Sequence, residues 1–377
     1  MRVFVYLILC LMCVVAAEGA VDDDVLALVQ QIKSETIDAD VQRIVAFETR
    51  FMGSDSNAAA SVWLGERLAS FGYPVHFDTF EVNAPRRTYF TGHSFEVRGL
   101  KQWNVIATKR GSLFPHKKVV LGAHYDSISL DRAQSEQDVA PGGDDNASGM
   151  SALLEIARVM QNVDVDVTIE FVLWGAEELG LIGSDHYAKQ ARVNGDEIVV
   201  MLQLDAIGTR SPIFANGFTI DTINPYITQG EVLAQTALDY SDVEALNGVG
   251  GQVFVSPQGC RCSDHQSFIN QGYPALGIFQ YIDSPASHLN MSGDTLDHVD
   301  VTFVTGVTQA TLAALLQFTG FPGKTADFDG DGRVAFTDFL LFAQAFGADI
   351  FDARFDLDRD GAVAFADFLA FANAFGK

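Results

Sequence analysis

The sequence predicts an α/β fold, a three-layer sandwich around a mostly parallel central sheet, followed by a small all-α module. Three observations predict it. Short apolar runs alternate with helical stretches between residues 75 and 318, the pattern of strands joined by crossover helices. Side chains suited to metals recur just past several of those runs, where loops of such sheets form sites. Beyond residue 320 the pattern changes to two copies of one Asp-rich unit.

Residues 1–19 read as a signal peptide. Met1-Arg2 gives a positive start, Val3 to Val15 is apolar, and small residues follow at Ala16, Ala17, Gly19 and Ala20. That run is too short to span a membrane comfortably, and no other stretch reads as a span. Export to the extracellular space or periplasm follows. Asp22 to Gly72 is helical: Val25, Leu26, Leu28, Val29 and Ile32 recur at helical spacing, as do Val62, Leu64, Leu68 and Phe71. The strand candidates are 75–82, 103–108, 118–123, 167–174, 198–204 and 275–280. The helix candidates among them are 149–160, 184–191, 225–238 and 302–318. Residues 22–320 thus form one large domain, 321–326 a linker and 327–377 the module.

The formal net charge of −25, with no Lys/Arg cluster, excludes a nucleic-acid partner. Cys10 and Cys13 leave with the signal. Export favours a disulfide between Cys260 and Cys262, but that ring is tight, so free thiols remain the alternative. The pair lacks the second ligand pair of a thiolate zinc site.

Five motifs carry chemistry. In Gly122-Ala-His-Tyr-Asp-Ser127, His124 can bind a metal through one ring nitrogen while Asp126 accepts the other N–H. Pro141-Gly-Gly-Asp-Asp-Asn-Ala-Ser-Gly149 opens a helix, where Asp145 can reach two ions and Asp144 or Asn146 can cap. Adjacent Glu177 and Glu178 follow an apolar strand and need a cation to compensate them. A metal on Glu178 leaves Glu177 free to take a proton from water. Asp205 ends another buried run and needs a partner. His288, His265 and His298 compete for the last position, and His288 is preferred because it sits in a polar loop past a strand. His124, Asp145, Glu178, Asp205 and His288 can together hold two zinc ions if one carboxylate bridges. Phe279 and Tyr281 are candidates for an apolar side-chain pocket, with ordinary core as the alternative.

In order and spacing, these motifs and Cys262-Ser-Asp-His265 resemble the secreted bacterial leucyl aminopeptidases, di-zinc exopeptidases of the zinc-peptidase fold. The resemblance runs from about Asp40 to Phe318. It implies that Asp145 bridges two zincs, His124 and Asp205 complete one site, and Glu178 and His288 complete the other. It implies that Glu177 is the general base, that Asp126 supports His124, and that the Asp145–Asn146 peptide is cis. The substrates it implies are peptides with a free N-terminus, losing apolar residues. This sequence departs from the family in three places. The last His usually stands four residues before an Asp-Thr pair, whereas His288 stands six before Asp294. Cys260 replaces a tyrosine found in some members, and there is no room between Val82 and Trp103 for an inserted lid.

Glutaminyl cyclases share the His-Tyr-Asp-Ser motif but use one zinc; the Asp-Asp-Asn-Ala-Ser-Gly and Ala-Glu-Glu-Leu-Gly runs favour the aminopeptidases. A carboxypeptidase needs a cation such as Arg210 or Arg261, and neither sits in a demanding motif. A calcium-dependent binding component without catalysis is the reading from another class.

The module repeats with a period of 29 residues. Its loops place Asp327, Asp329, Asp331, Arg333 and Asp338, and then Asp356, Asp358, Asp360, Ala362 and Asp367, at positions 1, 3, 5, 7 and 12 of a calcium loop. Gly at position 6 permits the sharp turn. Helices at 338–346 and 367–375 carry matched apolar faces that should pack together. The unit resembles a dockerin-type tandem of half EF-hands, which implies two Ca²⁺ ions and a cohesin-like or cell-surface partner.

Overall fold

The structure, a computed structural model, describes residues 21–88, 94–131, 139–245, 254–255, 262–281, 288–320, 326–329, 333–347, 352, 354–358 and 362–376. The signal segment, Cys260, Arg261, most of the linker, Asp331 and Asp360 lie outside the described residues.

Three helices open the chain: α1 (Asp23–Val29), α2 (Ser34–Val45) and α3 (Asp55–Ser70). Asp22 caps α1 by accepting the Asp24 and Val25 N–H groups, and Ser54 caps α3 through Asn57. A long hairpin, β1 (Val75–Thr88) and β2 (Ser94–Lys109), follows. Then come β3 (Phe114–His124), α4 (Gly149–Met160), β4 (Val167–Trp174), α5 (Ile182–Asn194), β5 (Glu197–Leu204), β6 (Gly217–Thr222) and α6 (Ile227–Tyr240). The short β7 (Glu244–Ala245) and β8 (Phe254–Val255), α7 (His265–Asn270), β9 (Ala275–Gln280) and α8 (Val301–Thr319) complete the domain. Two more helices, α9 (Phe336–Ala345) and α10 (Phe365–Ala374), belong to the C-terminal region.

The strands form one sheet in the order β1-β2-β4-β3-β5-β9-β6-β7, with β8 on β6. It is mixed, with five parallel pairings and three antiparallel ones among the described residues. Its centre, β4-β3-β5-β9, is parallel, whereas β2 meets β4, and β6 meets β9, in antiparallel pairs. Every residue of β4 is buried, as a strand covered on both faces requires. Alternate side chains feed two cores. Val119, Leu121, Phe171, Leu202 and Ile278 face α1–α4, α6 and α8. Val120, Val172, Trp174 and Met201 face Tyr187 and Ala188 of α5 and Phe268 of α7. The period-2 pattern therefore yields the three layers.

Strand β6 was absent from the sequence reading, because Asp221 breaks its apolar run; here that carboxylate accepts a 2.9 Å hydrogen bond from His265 Nε2. The hairpin strands run well past the apolar stretches that announced them, since edge pairing is carried by the backbone. Helix α8 corrects another expectation. It is long and apolar enough to cross a membrane by length and composition, but it is mostly buried inside the fold. Its hydrophobicity on all sides is that of a central core helix.

Helices α9 and α10 start two residues before the expected 338 and 367. They pair as anticipated: the Phe342 and Phe371 rings lie 5.5 Å apart at 11°. Those residues, with Val334, Phe355, Leu357 and Ala370, make a separate small core against which Leu113 and Phe114 pack. The matched faces are only partly covered, as Phe336 and Phe365 are each 64% exposed. Phe342→Ala is expected to destabilise this module by about 3–5 kcal/mol, the usual loss for a buried Phe. Calorimetry on the whole chain checks this, and a loss under about 1 kcal/mol would contradict the packing.

Candidate active site

The C-terminal ends of β3, β4 and β5 meet one turn. Pairing of His124 with Trp174 in register brings the ends of β3 and β4 level. Glu177 and Glu178 follow β4, and Asp205 follows β5. The turn before α4 supplies Asp145, joined to Asn146 by a cis peptide, as the resemblance implied. Gly142 has φ +53°, and a Cβ on Gly143 would lie 2.7 Å from the Thr295 carbonyl, so both positions need glycine. Asn146 makes the helix start: its Oδ1 accepts the Gly149 N–H at 3.0 Å while its Nδ2 donates to Leu204.

His124 Nε2 lies 2.9 Å from Asp145 Oδ1 and 3.4 Å from Asp205 Oδ1. His124, Asp145 and Glu178 each offer a ligand atom, all within 4.8 Å of one another. An imidazole with several carboxylates suits zinc. The electrostatics agree. Burial pushes Asp145, Glu177 and Glu178 above the usual carboxylate range, Glu177 and Glu178 far above it. Burial alone would depress His124, but Asp205 and Glu177 overcome it and leave the ring well above its ordinary value. A site of this kind holds protons unless a cation compensates its carboxylates. The donor set therefore fits a divalent metal.

Asp126 plays a different part from the one expected. His124 Nδ1 lies 3.1 Å from the Asp126 backbone oxygen, and 3.8 Å from its carboxylate. The carboxylate accepts the backbone N–H groups of Glu177 and Glu178 at 3.0 and 3.2 Å. It positions the two glutamates rather than the imidazole.

The expected ligand His288 is not brought to this cluster. Its Nε2 lies 2.9 Å from Asp144 Oδ2, and its ring stacks on His298 at 4.0 Å. Asp144 also accepts from Gly208, Thr209 and Gln280. Of the other two contenders, His265 is bonded to Asp221 and His298 is stacked on His288. The residue facing Glu178 is Asn290, whose side-chain amide comes within 2.6 and 2.8 Å of the two carboxylate oxygens; its nitrogen is assigned to that side because only the nitrogen can donate to them. Two residues of register separate it from His288. The signal was available, because Asn290 stands four residues before Asp294, the spacing usual for the last ligand.

A cavity of about 460 Å³ opens over the cluster, lined on its apolar side by Leu181, Phe279 and Leu289. Phe279 thus faces the site as anticipated. Tyr281 does not line the cavity; its ring packs edge-on against Phe214 at 5.1 Å. Cys262, also on the cavity wall, is disulfide-bonded. Arg210 is paired with Asp300 at 2.8 Å and takes no part in the cavity.

Three supporting residues escaped the sequence reading. Asp294 accepts the backbone N–H groups of Asp144 and Asp145 at 2.8 and 2.9 Å, and burial lifts its carboxyl to about 7. Arg50, fully buried, donates to the carbonyls of Tyr125, Pro141 and Gly142 and so ties the end of β3 to the Asp145 turn. Asp264 accepts from Gln203 at 2.8 Å, and burial lifts it to about 8. Asp264 and Asp294 stand in motifs quoted above, but residue type marks neither the burial nor the backbone contacts, and Arg50 stands in no motif.

Known proteins resemble this chain in sequence and fold. Leucine aminopeptidase 1 of Sclerotinia sclerotiorum is 28% identical over 294 residues, covering 74% of this chain and 69% of that protein. A probable zinc metalloprotease of Pyrenophora teres f. teres is 26% identical over 353 residues, covering 83% and 72%. Among solved structures, LapB from Legionella pneumophila shares the fold with a TM-score of 0.62 at 23% identity, covering 79% of this chain and 75% of that one. The enzyme class read from the motifs, metallo-aminopeptidase, accords with these relatives. Residues 104–315, more than half the chain, match the description Peptidase family M28, and the chain belongs to that family.

Proposed function

We propose that this chain is an exported zinc-dependent aminopeptidase that removes apolar N-terminal residues from peptides, with a calcium-binding module behind its catalytic domain. One observation carries the catalytic reading: His124, Asp145, Glu178 and Asp205 converge under a cavity whose wall contains Glu177. His124, Asp145 and Asp205 would hold one zinc, with Asp145 and Glu178 reaching toward a second position. When bound, zinc supplies a Lewis acid that polarises a carbonyl and acidifies water.

The chain's own residues do the rest. Glu177, buried at the cavity wall, takes a proton from the attacking water and passes it to the departing amine nitrogen. Asp126 fixes its backbone. Leu181, Phe279 and Leu289 form a wall for an apolar side chain and keep bulk water off it.

Export rests on residues 1–19, and the domain limits proposed are 22–320 and 327–377. The calcium reading is supported by two matching carboxylate groups, Asp327, Asp329 and Asp338, and Asp356, Asp358 and Asp367. A cohesin-like or surface partner would meet the exposed Phe336, Leu340 and Phe346, or their counterparts Phe365, Leu369 and Phe375.

Leucine anilide, its N-acetylated form and a peptide with N-terminal glutamine test the reaction. Release from the free amine alone is the expected result. Cyclisation of the glutamine peptide would point to a cyclase, and neither activity would leave the binding-component reading.

A further inference from the structure

We propose that this enzyme holds one zinc tightly, and that its second metal position is an all-oxygen site which binds zinc weakly and admits Mn²⁺. This rests on the zinc-peptidase reading and concerns the residues of this chain that depart from it.

The two positions share Asp145 but differ in their other donors. The first has the imidazole of His124, with Nε2 2.9 Å from Asp145 and 3.4 Å from Asp205. The second has Glu178, and what stands against Glu178 is the Asn290 carboxamide, 2.6 and 2.8 Å from its two oxygens. Asn290, Glu178 and Asp145 all line the cavity, and His288 is not among its lining residues.

His288 is also engaged elsewhere. Its Nε2 faces Asp144 Oδ2 at 2.9 Å and Thr209 Oγ1 at 3.2 Å, and its ring is stacked on His298. Asp144 is completely buried and anchors Gly208 and Gln280 as well. Freeing His288 would leave that carboxylate short of a donor and would need a shift in the loop. The backbone reinforces the arrangement. Asn290 has φ +58°, a conformation that Asn tolerates far better than most residues.

Ligand chemistry gives the consequence. Imidazole suits zinc, whereas carboxylate and amide oxygens suit harder divalent ions such as Mn²⁺. Losing the only nitrogen donor therefore weakens zinc at the second position and narrows its advantage over Mn²⁺. An Asn carbonyl can serve as an oxygen donor once its amide turns away from Glu178.

The test is metal content, measured by mass spectrometry on the full chain after dialysis against metal-free buffer. Wild type is expected to keep one zinc per chain. Asn290→His, a residue that also tolerates positive φ, is expected to keep two, with an unchanged melting curve as the check on folding. Mn²⁺ titrated into the one-zinc wild type and followed by electron paramagnetic resonance should show one bound ion, lost in Glu178→Gln. Two tight zincs in wild type would overturn this inference and leave the zinc-peptidase reading intact. One zinc in folded Asn290→His, or no bound Mn²⁺ in wild type, would also overturn it. No tight zinc in any variant would overturn both readings.

Discussion

Glu177→Gln is expected to cut kcat for leucine anilide by about 10²–10⁴-fold, the range a positioned general base contributes. Gln preserves size and shape but cannot take up a proton at neutral pH. KM should change little, because Leu181, Phe279 and Leu289 still line the cavity. Zinc content should stay the same, since Glu177 is outside the group of His124, Asp145 and Glu178 that offers converging ligand atoms. The split between a collapsed kcat and constant metal separates a proton-transfer role from a ligand role. If kcat stays within about tenfold of wild type, the base lies elsewhere.

Calcium is expected to control the stability of the C-terminal module. Asp338 shows why. Its carboxylate accepts from the Phe328, Asp329 and Ala335 N–H groups, which pulls the loop into a ring of oxygens. Asp367 does the same for Asp358 and Ala364. An ion bound only by the folded loops stabilises by about 2.7 kcal/mol at a hundred times its Kd. The module also leans on the catalytic domain, where Lys117 donates to the Asp358 carbonyl and lies 3.6 Å from its carboxylate. That fixed ammonium opposes a cation at the second loop, so the first loop should bind calcium more tightly. Chelators strip zinc too, so the comparison is the metal-free chain before and after calcium alone is restored. A rise in the module's melting transition is the expected result, and Asp338→Ala should abolish most of it. An unchanged transition would sink the calcium reading.

Much of this molecule was legible in its sequence, for identifiable reasons. Strands β3, β4 and β5 could be read because parallel strands covered on both faces are continuous apolar runs. Their ends then placed His124, Glu178 and Asp205 without further information. Strand β6 was illegible because its Asp221 is hydrogen-bonded to His265, a residue 44 positions away. Asp126 was assigned to the right neighbourhood but the wrong partner, since sequence spacing cannot distinguish a carboxylate from the backbone oxygen of the same residue. His288 was misplaced for a related reason. A histidine in a polar loop looks like a ligand, although the four-residue spacing to Asp294 points to position 290; the folded loop shows His288 resting on Asp144 and Asn290 against Glu178. Arg50 and Asp294 hold backbone atoms of the site, and backbone partners leave no trace in residue type.

The central claim is that this fold carries a zinc-dependent aminopeptidase. The most direct measurement is leucine release from leucine anilide by the purified chain, before metal removal, after it, and after zinc is restored. Activity should be lost with the metal, return with zinc, and never appear on the N-acetylated substrate. Activity that survives complete metal removal, or that ignores the free amine, would contradict it.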